Sequence, residues 1–273
     1  MTGWDLAVHF QGLGMISKEK SLSQRKLEDR AIQSIIYQAK KIIGNLWIPH
    51  HKKRVPYSER WQFKKGYELS VEESFEEQSD LNNWDWKGVW VEGSVPKEHA
   101  LMLTIDTSLS MTGEKLALTA VALAVVCLQF ESQPFGVVTF DSEAKKLKAP
   151  FQSPPIEVLI RRFLLQAQQG YTHLERGLTK TIEMIAEQPK RPAYSTILLS
   201  DGKYTAGRDP TRLAPFFNSL SVLKMGGEKS SESLCQELAR LGGGQYREVK
   251  TIEKLPQIMY ALLQEIMKQR IAS

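Results

Sequence analysis

Five oxygen-bearing side chains, Asp106, Ser108, Ser110, Thr172 and Asp201, form the set in this 273-residue chain best suited to holding a cation. Asp106, Ser108 and Ser110 occupy alternate positions in LTIDTSLSMTG (103–113), where an apolar run gives way to a turn. The stretch lacks the glycines of a phosphate cradle, and it pairs no nucleophile with a base. What it displays is hard oxygen donors, which suit Mg²⁺, Mn²⁺ and Ca²⁺ alike.

Those residues can meet only if the chain positions them, and its pattern shows how. From Leu101 onward, ALMLTID, FGVVTF, STILLSD and SLSVLKM read as buried strands. Between and after them lie the helical patterns KLALTAVALAVVCLQF, PPIEVLIRRFLLQAQ, HLERGLTKTIEMIAEQ, SSESLCQELARL and IEKLPQIMYALLQEIMKQ. Alternation of apolar strands with helices indicates a mainly parallel sheet covered on both faces. AKKLKAP (144–150) follows FGVVTFDS too closely for a crossover and is expected as an antiparallel edge strand, its lysines suited to exposure. GQYREV reads as one more short strand. In such sheets ligands bind at the carboxyl ends of the strands. Asp106 and Asp201 each close a strand, and Thr172 opens a helix in GYTHL.

Before Leu101 the texture changes. Residues 21–47 form an expected amphipathic helix with Ile32, Ile35, Ile36, Ala39, Ile42 and Ile43 on one side. A basic block, HHKKRVPYSERWQFKK, and an acidic one, ELSVEESFEEQSD, come next; together with the tryptophans they make residues 50–95 a charged, Trp-rich segment. In LNNWDWKGVWVEG, Trp84, Trp86 and Trp90 share one parity, as residues on one face of a strand would. The expected division is an extension over 1–97 and a domain over 98–273.

Composition removes several classes. At 42% hydrophobic and 25% charged, the chain reads as an ordinary globular protein. Its most apolar run, 116–130, is shorter than a membrane span, so no membrane association is expected. Two cysteines, Cys127 and Cys235, are too few for a disulfide framework and read as core thiols in a cytoplasmic protein. The net charge of +5 is spread along the chain, and the basic block is followed at once by the acidic one, which argues against nucleic acid. These residues contain no GxxxxGK[ST] loop.

Asp-x-Ser-x-Ser at 106–110, Thr172 in its GxT-x-L setting and Asp201 in LLSDG together resemble the metal-ion-dependent adhesion site of the von Willebrand factor A domain. The resemblance runs over about residues 98–271. It implies a Rossmann-like, doubly wound, mostly parallel sheet with one antiparallel edge strand. It also implies a divalent cation, Mg²⁺ first, on Ser108, Ser110 and Thr172, with Asp106 and Asp201 acting through waters or orienting the hydroxyls. Neutral hydroxyls leave the ion its positive field, and an open coordination position would accept an Asp or Glu from a protein partner. Intracellular bacterial members with an N-terminal extension often work beside a MoxR-type AAA+ ATPase, so such a partner is expected. His173, beside Thr172, is a lesser candidate as ligand or base, and Thr205 in DGKYTAG a lesser one for the rim. Two rival readings are weaker: a metal-dependent hydrolase would need a free base, and an RNA-binding protein would show interleaved aromatic and basic residues. The chain is therefore expected not to be an enzyme.

Overall fold

A strand apolar on both faces must be covered on both, and the order of elements supplies the covers. The computed structural model describes residues 2–10, 22–44, 54–60, 68–78, 85–96, 99–131, 133–166, 170–188, 193–226 and 231–272. Helices α1 (Gly3–Val8) and α2 (Leu22–Ile43) come first, followed by β1 (Arg54–Arg60), β2 (Glu68–Ser70), α3 (Val71–Glu77) and β3 (Trp90–Pro96). Then come β4 (His99–Asp106), α4 (Glu114–Gln129), β5 (Phe135–Phe140), β6 (Ala144–Lys148), α5 (Ile156–Leu164) and α6 (Leu174–Ala186). The chain continues through β7 (Ala193–Ser200), β8 (Leu220–Met225), α7 (Glu232–Leu241), β9 (Gly243–Val249) and α8 (Leu255–Ala272).

The larger sheet has the order β6-β5-β4-β7-β8-β9. Its pairs are parallel except β5–β6, so the expected antiparallel edge strand is AKKLK. The chain winds outward from β4 first one way and then the other, which makes the fold doubly wound. One edge expectation needs correcting. Lys145 and Lys146 are exposed, but Lys148 is buried. Its ammonium donates to the carbonyls of Phe135, Ala149 and Pro150 and lies 3.6 Å from the centroid of the Phe135 ring. Three carbonyls satisfy its three donors, so the charge can stay inside.

Chain contacts divide the protein into two units. Met1–Pro49 and His99–Gln269 make one; His50–Glu98 and Arg270–Ser273 make the other. In the first, α4 is buried almost throughout, which explains its uniformly apolar sequence. The expected stripe of α2 is real: Ala31, Ile32, Ile35, Ile36, Ala39 and Ile43 are buried in one cluster with residues of α4 and α8, and Ile42 packs against it. Both cysteines are buried and free. No helix among the described residues is long and apolar enough to cross a membrane.

In the second unit β1 and β2 pair antiparallel with β3, giving the order β1-β3-β2. The tryptophan parity fails here. Trp86 opens a 3-10 turn, Trp86–Gly88, and the strand begins only at Trp90, while Trp84 lies outside the described residues. Gln78 explains the turn. Its amide accepts from the Asp85 N–H at 2.6 Å and donates to the Asp85 carbonyl at 2.8 Å, and the Asp85 carboxylate accepts from the Lys87 N–H at 3.1 Å. Those backbone groups are taken before a ladder can form.

Candidate metal centre

Strand register decides where the oxygens land. Asp106 lies opposite Phe140 on β5, and Ile105 lies opposite Leu199 on β7. Ser200 and Asp201 therefore emerge beside Asp106 at the carboxyl end of the sheet. Helix α6 packs across β4, β5 and β6, and its start brings Thr172 to the same end. Its height is fixed by a buried contact between the hydroxyls of Thr104 and Thr181 at 2.7 Å. Gly177 permits the approach, since a Cβ there would stand 2.6 Å from the Phe140 ring.

Asp106 is fully buried. Its Oδ1 accepts from the Ser108 N–H at 2.9 Å, and its Oδ2 accepts from the Ser200 hydroxyl at 2.8 Å. Ser108 Oγ lies 3.2 Å from Ser110 Oγ, which donates to Asp201 Oδ2 at 3.3 Å. The second oxygen of Asp201 accepts from the Lys203 N–H at 3.0 Å. Four of the five expected residues are thus joined by direct hydrogen bonds. Thr172 is attached differently. Its N–H donates to Thr205 Oγ1 at 3.1 Å, and its carbonyl accepts from the Thr205 N–H at 3.0 Å. That pair clips Thr172 to the loop that Asp201 opens.

The electrostatics ask for a cation. Burial pushes the Asp106 carboxyl up to about 6, against the pull of its hydrogen bonds, and the charge of Asp201 adds to the rise. The ion pairs among the described residues involve neither aspartate. Two neighbouring carboxylates with no ion-pair partner among the described residues, edged by hydroxyls, fit a small divalent ion. Ser108 stands at the N-cap of the 3-10 turn Leu109–Met111 but makes no side-chain cap bond, so capping does not account for it. Among the described residues no three His, Cys, Asp or Glu converge as a metal site. An ion at this end would accordingly rest on hydroxyls, as hard cations do. Burial pushes the thiols of Cys127 and Cys235 up to about 12, which disqualifies them as nucleophiles near neutrality.

Several supporting residues escaped the sequence reading. Ser200 orients Asp106 and accepts from the Gly202 N–H at 3.1 Å, while Ser231 donates to the Asp201 carbonyl at 2.6 Å. Asp141 accepts through its carbonyl from the His173 N–H at 2.9 Å, and Ser142 Oγ accepts from the Tyr171 N–H at 3.0 Å. Only Ser200 left a trace in sequence, as the residue before Asp201. His173 proves to be a helix cap, its Nδ1 accepting from the Arg176 N–H at 3.3 Å.

Gly202 offers a test that touches no candidate ligand oxygen. Its φ is +75°, and a Cβ would stand 2.5 Å from Cys235 Sγ and 3.2 Å from the Ser231 carbonyl. Gly202→Ala should shift Asp201 and weaken Mn²⁺ binding about 10- to 100-fold, the range seen when the support of a metal ligand is lost. Isothermal titration of the purified variant checks this.

A profile of the von Willebrand factor type A domain matches residues 101–203. Among curated proteins, none matches the chain. Among solved structures, a von Willebrand factor type A protein from Catenulispora acidiphila is 18% identical with a TM-score of 0.51, covering 66% of this chain and 44% of its own. Proximal thread matrix protein 1 from the mussel byssus, solved with zinc in its MIDAS motif, is 16% identical with a TM-score of 0.53, covering 63% and 48% respectively. An aerotolerance-related membrane protein from Bacteroides fragilis, 16% identical with a TM-score of 0.50, covers 63% of this chain and 99% of its own. This chain thus spans less than half of the first two proteins and nearly all of the third. At these identities the likeness is one of fold. From His99 onward the chain has the fold of a von Willebrand factor type A domain, and residues 101–203 match that domain's sequence profile.

Proposed function

We propose that residues 98–273 form a non-enzymatic, metal-dependent protein-binding domain, and that residues 1–97 are an extension whose helix α2 braces it. A divalent cation, Mg²⁺ first among the candidates, is held by Ser108, Ser110 and Thr172, while Asp106 and Asp201 balance its charge and orient the hydroxyls. When bound, the ion supplies a Lewis-acidic corner for an Asp or Glu of a protein partner. The observation that carries this reading is the buried Asp106, in no ion pair among the described residues, beside Asp201, with Ser108 and Ser110 linking the two.

The same geometry disfavours catalysis. Each aspartate is engaged by backbone and hydroxyl donors, and the Nδ1 of His173 caps a helix. The mussel protein with zinc in its MIDAS motif supports a divalent ion on this fold. The buried free thiols favour a cytoplasmic protein. The family resemblance favours a MoxR-type AAA+ ATPase as partner, in complex remodelling, metal insertion or defence. The likeness to an aerotolerance-related protein is compatible with a stress role.

Affinity capture on the full chain tests the reading. With Mg²⁺ present, wild type should retain a partner that EDTA releases and that Asp106→Ala fails to hold. Recovery of the same partner in EDTA would overturn the metal-dependent part. A retained partner that is no AAA+ protein would overturn the ATPase assignment alone.

A further inference from the structure

At the end of the larger sheet opposite the candidate metal centre, four element ends meet without filling the space between them. Helix α4 stops at Gln129, β5 starts at Phe135, β6 stops at Lys148 and α5 starts at Ile156. Pro154 and Pro155 lack the N–H groups that would tie the approach to α5 into regular structure. What is left is a pocket of about 320 Å³, within the size range of small-ligand sites. Its apolar lining includes Phe130, Phe135, Ile156 and Leu159. The two rings meet edge to face, their centroids 6.5 Å apart.

Lys148 stands in this apolar wall, only 3% exposed. The carbonyls of Phe135, Ala149 and Pro150 give its ammonium hydrogen bonds but no negative charge, and those to Ala149 and Pro150 are long, at 3.3 Å. Among the described residues Lys148 is in no ion pair. Glu131 also lines the pocket, but it is exposed to water and does not pair with the ammonium. Burial accordingly pushes Lys148 down to about 8. A methionine would fill the same space without that cost, so packing does not account for a lysine here.

We propose that this pocket binds a small carboxylic acid with an aromatic body, its carboxylate on the Lys148 ammonium and its body against Phe130, Phe135, Ile156 and Leu159. The anion supplies the charge that carbonyls cannot, and it can share the hydrogens of the two long bonds. An apolar pocket with a single buried charge has the make-up of a small-molecule site, the charge fixing which end of the ligand enters first. The ring pair selects an aromatic body, because rings pack well edge to face. The site shares no residue with the candidate metal centre, and the proposal does not rest on the metal-dependent reading.

Isothermal titration of the full chain with 3-phenylpropionate tests the proposal, in EDTA so that no metal ion can take the carboxylate. One saturable site per chain is expected. 3-Phenylpropanamide and 3-phenylpropylamine keep the body and change the head; each should bind about tenfold more weakly or worse, as loss of a hydrogen bond between charged groups does. Lys148→Met should cost the acid a similar factor while keeping the fold, since an apolar side chain of like length needs no desolvated charge. Ser153→Trp, at an exposed residue of the mouth, should obstruct the pocket, weaken binding as much and melt like wild type. Asp106→Asn should bind the acid as wild type does. No saturable binding, equal binding of the amide or the amine, or affinity unchanged in both Lys148→Met and Ser153→Trp would overturn the proposal. Loss of the acid in Asp106→Asn would do so as well, by placing it at the other end of the sheet. A preference for dodecanoate over 3-phenylpropionate would overturn the small aromatic body.

Discussion

Asp106→Asn should make the metal-free protein more stable while abolishing its response to divalent ions. The folded carboxyl titrates at about 6 and an unfolded one near 3.8. Between those values the unfolded chain releases a proton that the folded chain keeps, so metal-free stability falls as the pH rises and stays low above about 6. The displacement corresponds to about 3 kcal/mol at neutral pH. Asparagine removes the charge and can still accept from the Ser108 N–H, although its amide must compete with the Gly202 N–H for Ser200. A net gain of about 1–3 kcal/mol is expected, or several degrees in Tm for a chain of this size. Wild type at a hundredfold excess of ion over its Kd should gain about 2.7 kcal/mol, and the variant nothing. Thermal melts in EDTA and in Mg²⁺ read both effects. A variant that loses stability in EDTA, or still gains it from Mg²⁺, contradicts the account.

Arg161→Ala is expected to be the most damaging substitution outside the candidate centre. Arg161 on α5 donates to Glu28 Oε2 at 2.7 Å and to Asp29, both on α2. Glu28 is 1% exposed, so truncating Arg161 takes a cation away from a buried carboxylate. Breaking a buried pair costs about 3–5 kcal/mol; the partial exposure of Arg161 brings the expectation to about 2–4 kcal/mol. Replacing both, Arg161→Met with Glu28→Leu, should recover most of it, because an apolar pair needs no desolvated charge. Urea unfolding measures the loss, and hydrogen exchange should locate it in residues 22–43. Ion affinity should change little. An Arg161→Ala variant as stable as wild type would show that α2 is held by its apolar stripe alone.

The contrast between these two residues shows what a sequence gives away. Asp106 could be read because it closes an apolar strand, where a carboxylate has no packing role. Arg161 and Glu28 look like any surface charges in helices, and only the packing of α5 against α2 makes them a pair. The strands β4, β5, β7 and β8 were readable because burial on both faces leaves an unbroken apolar run. Ser200 was hidden for the same reason: a single hydroxyl ending such a run is unremarkable until strand register sets it opposite Asp106. Trp86 misled because parity is evidence of a strand only where the backbone is free to pair, and Gln78 has already taken the donors and acceptors of Asp85.

The most direct measurement is titration of the chain with Mn²⁺, followed by electron paramagnetic resonance and water proton relaxation. One saturable ion per chain is expected, still carrying exchangeable water, displaced by Mg²⁺ and lost in both Ser110→Ala and Thr172→Val. No saturable binding, or binding indifferent to those two substitutions, would contradict it.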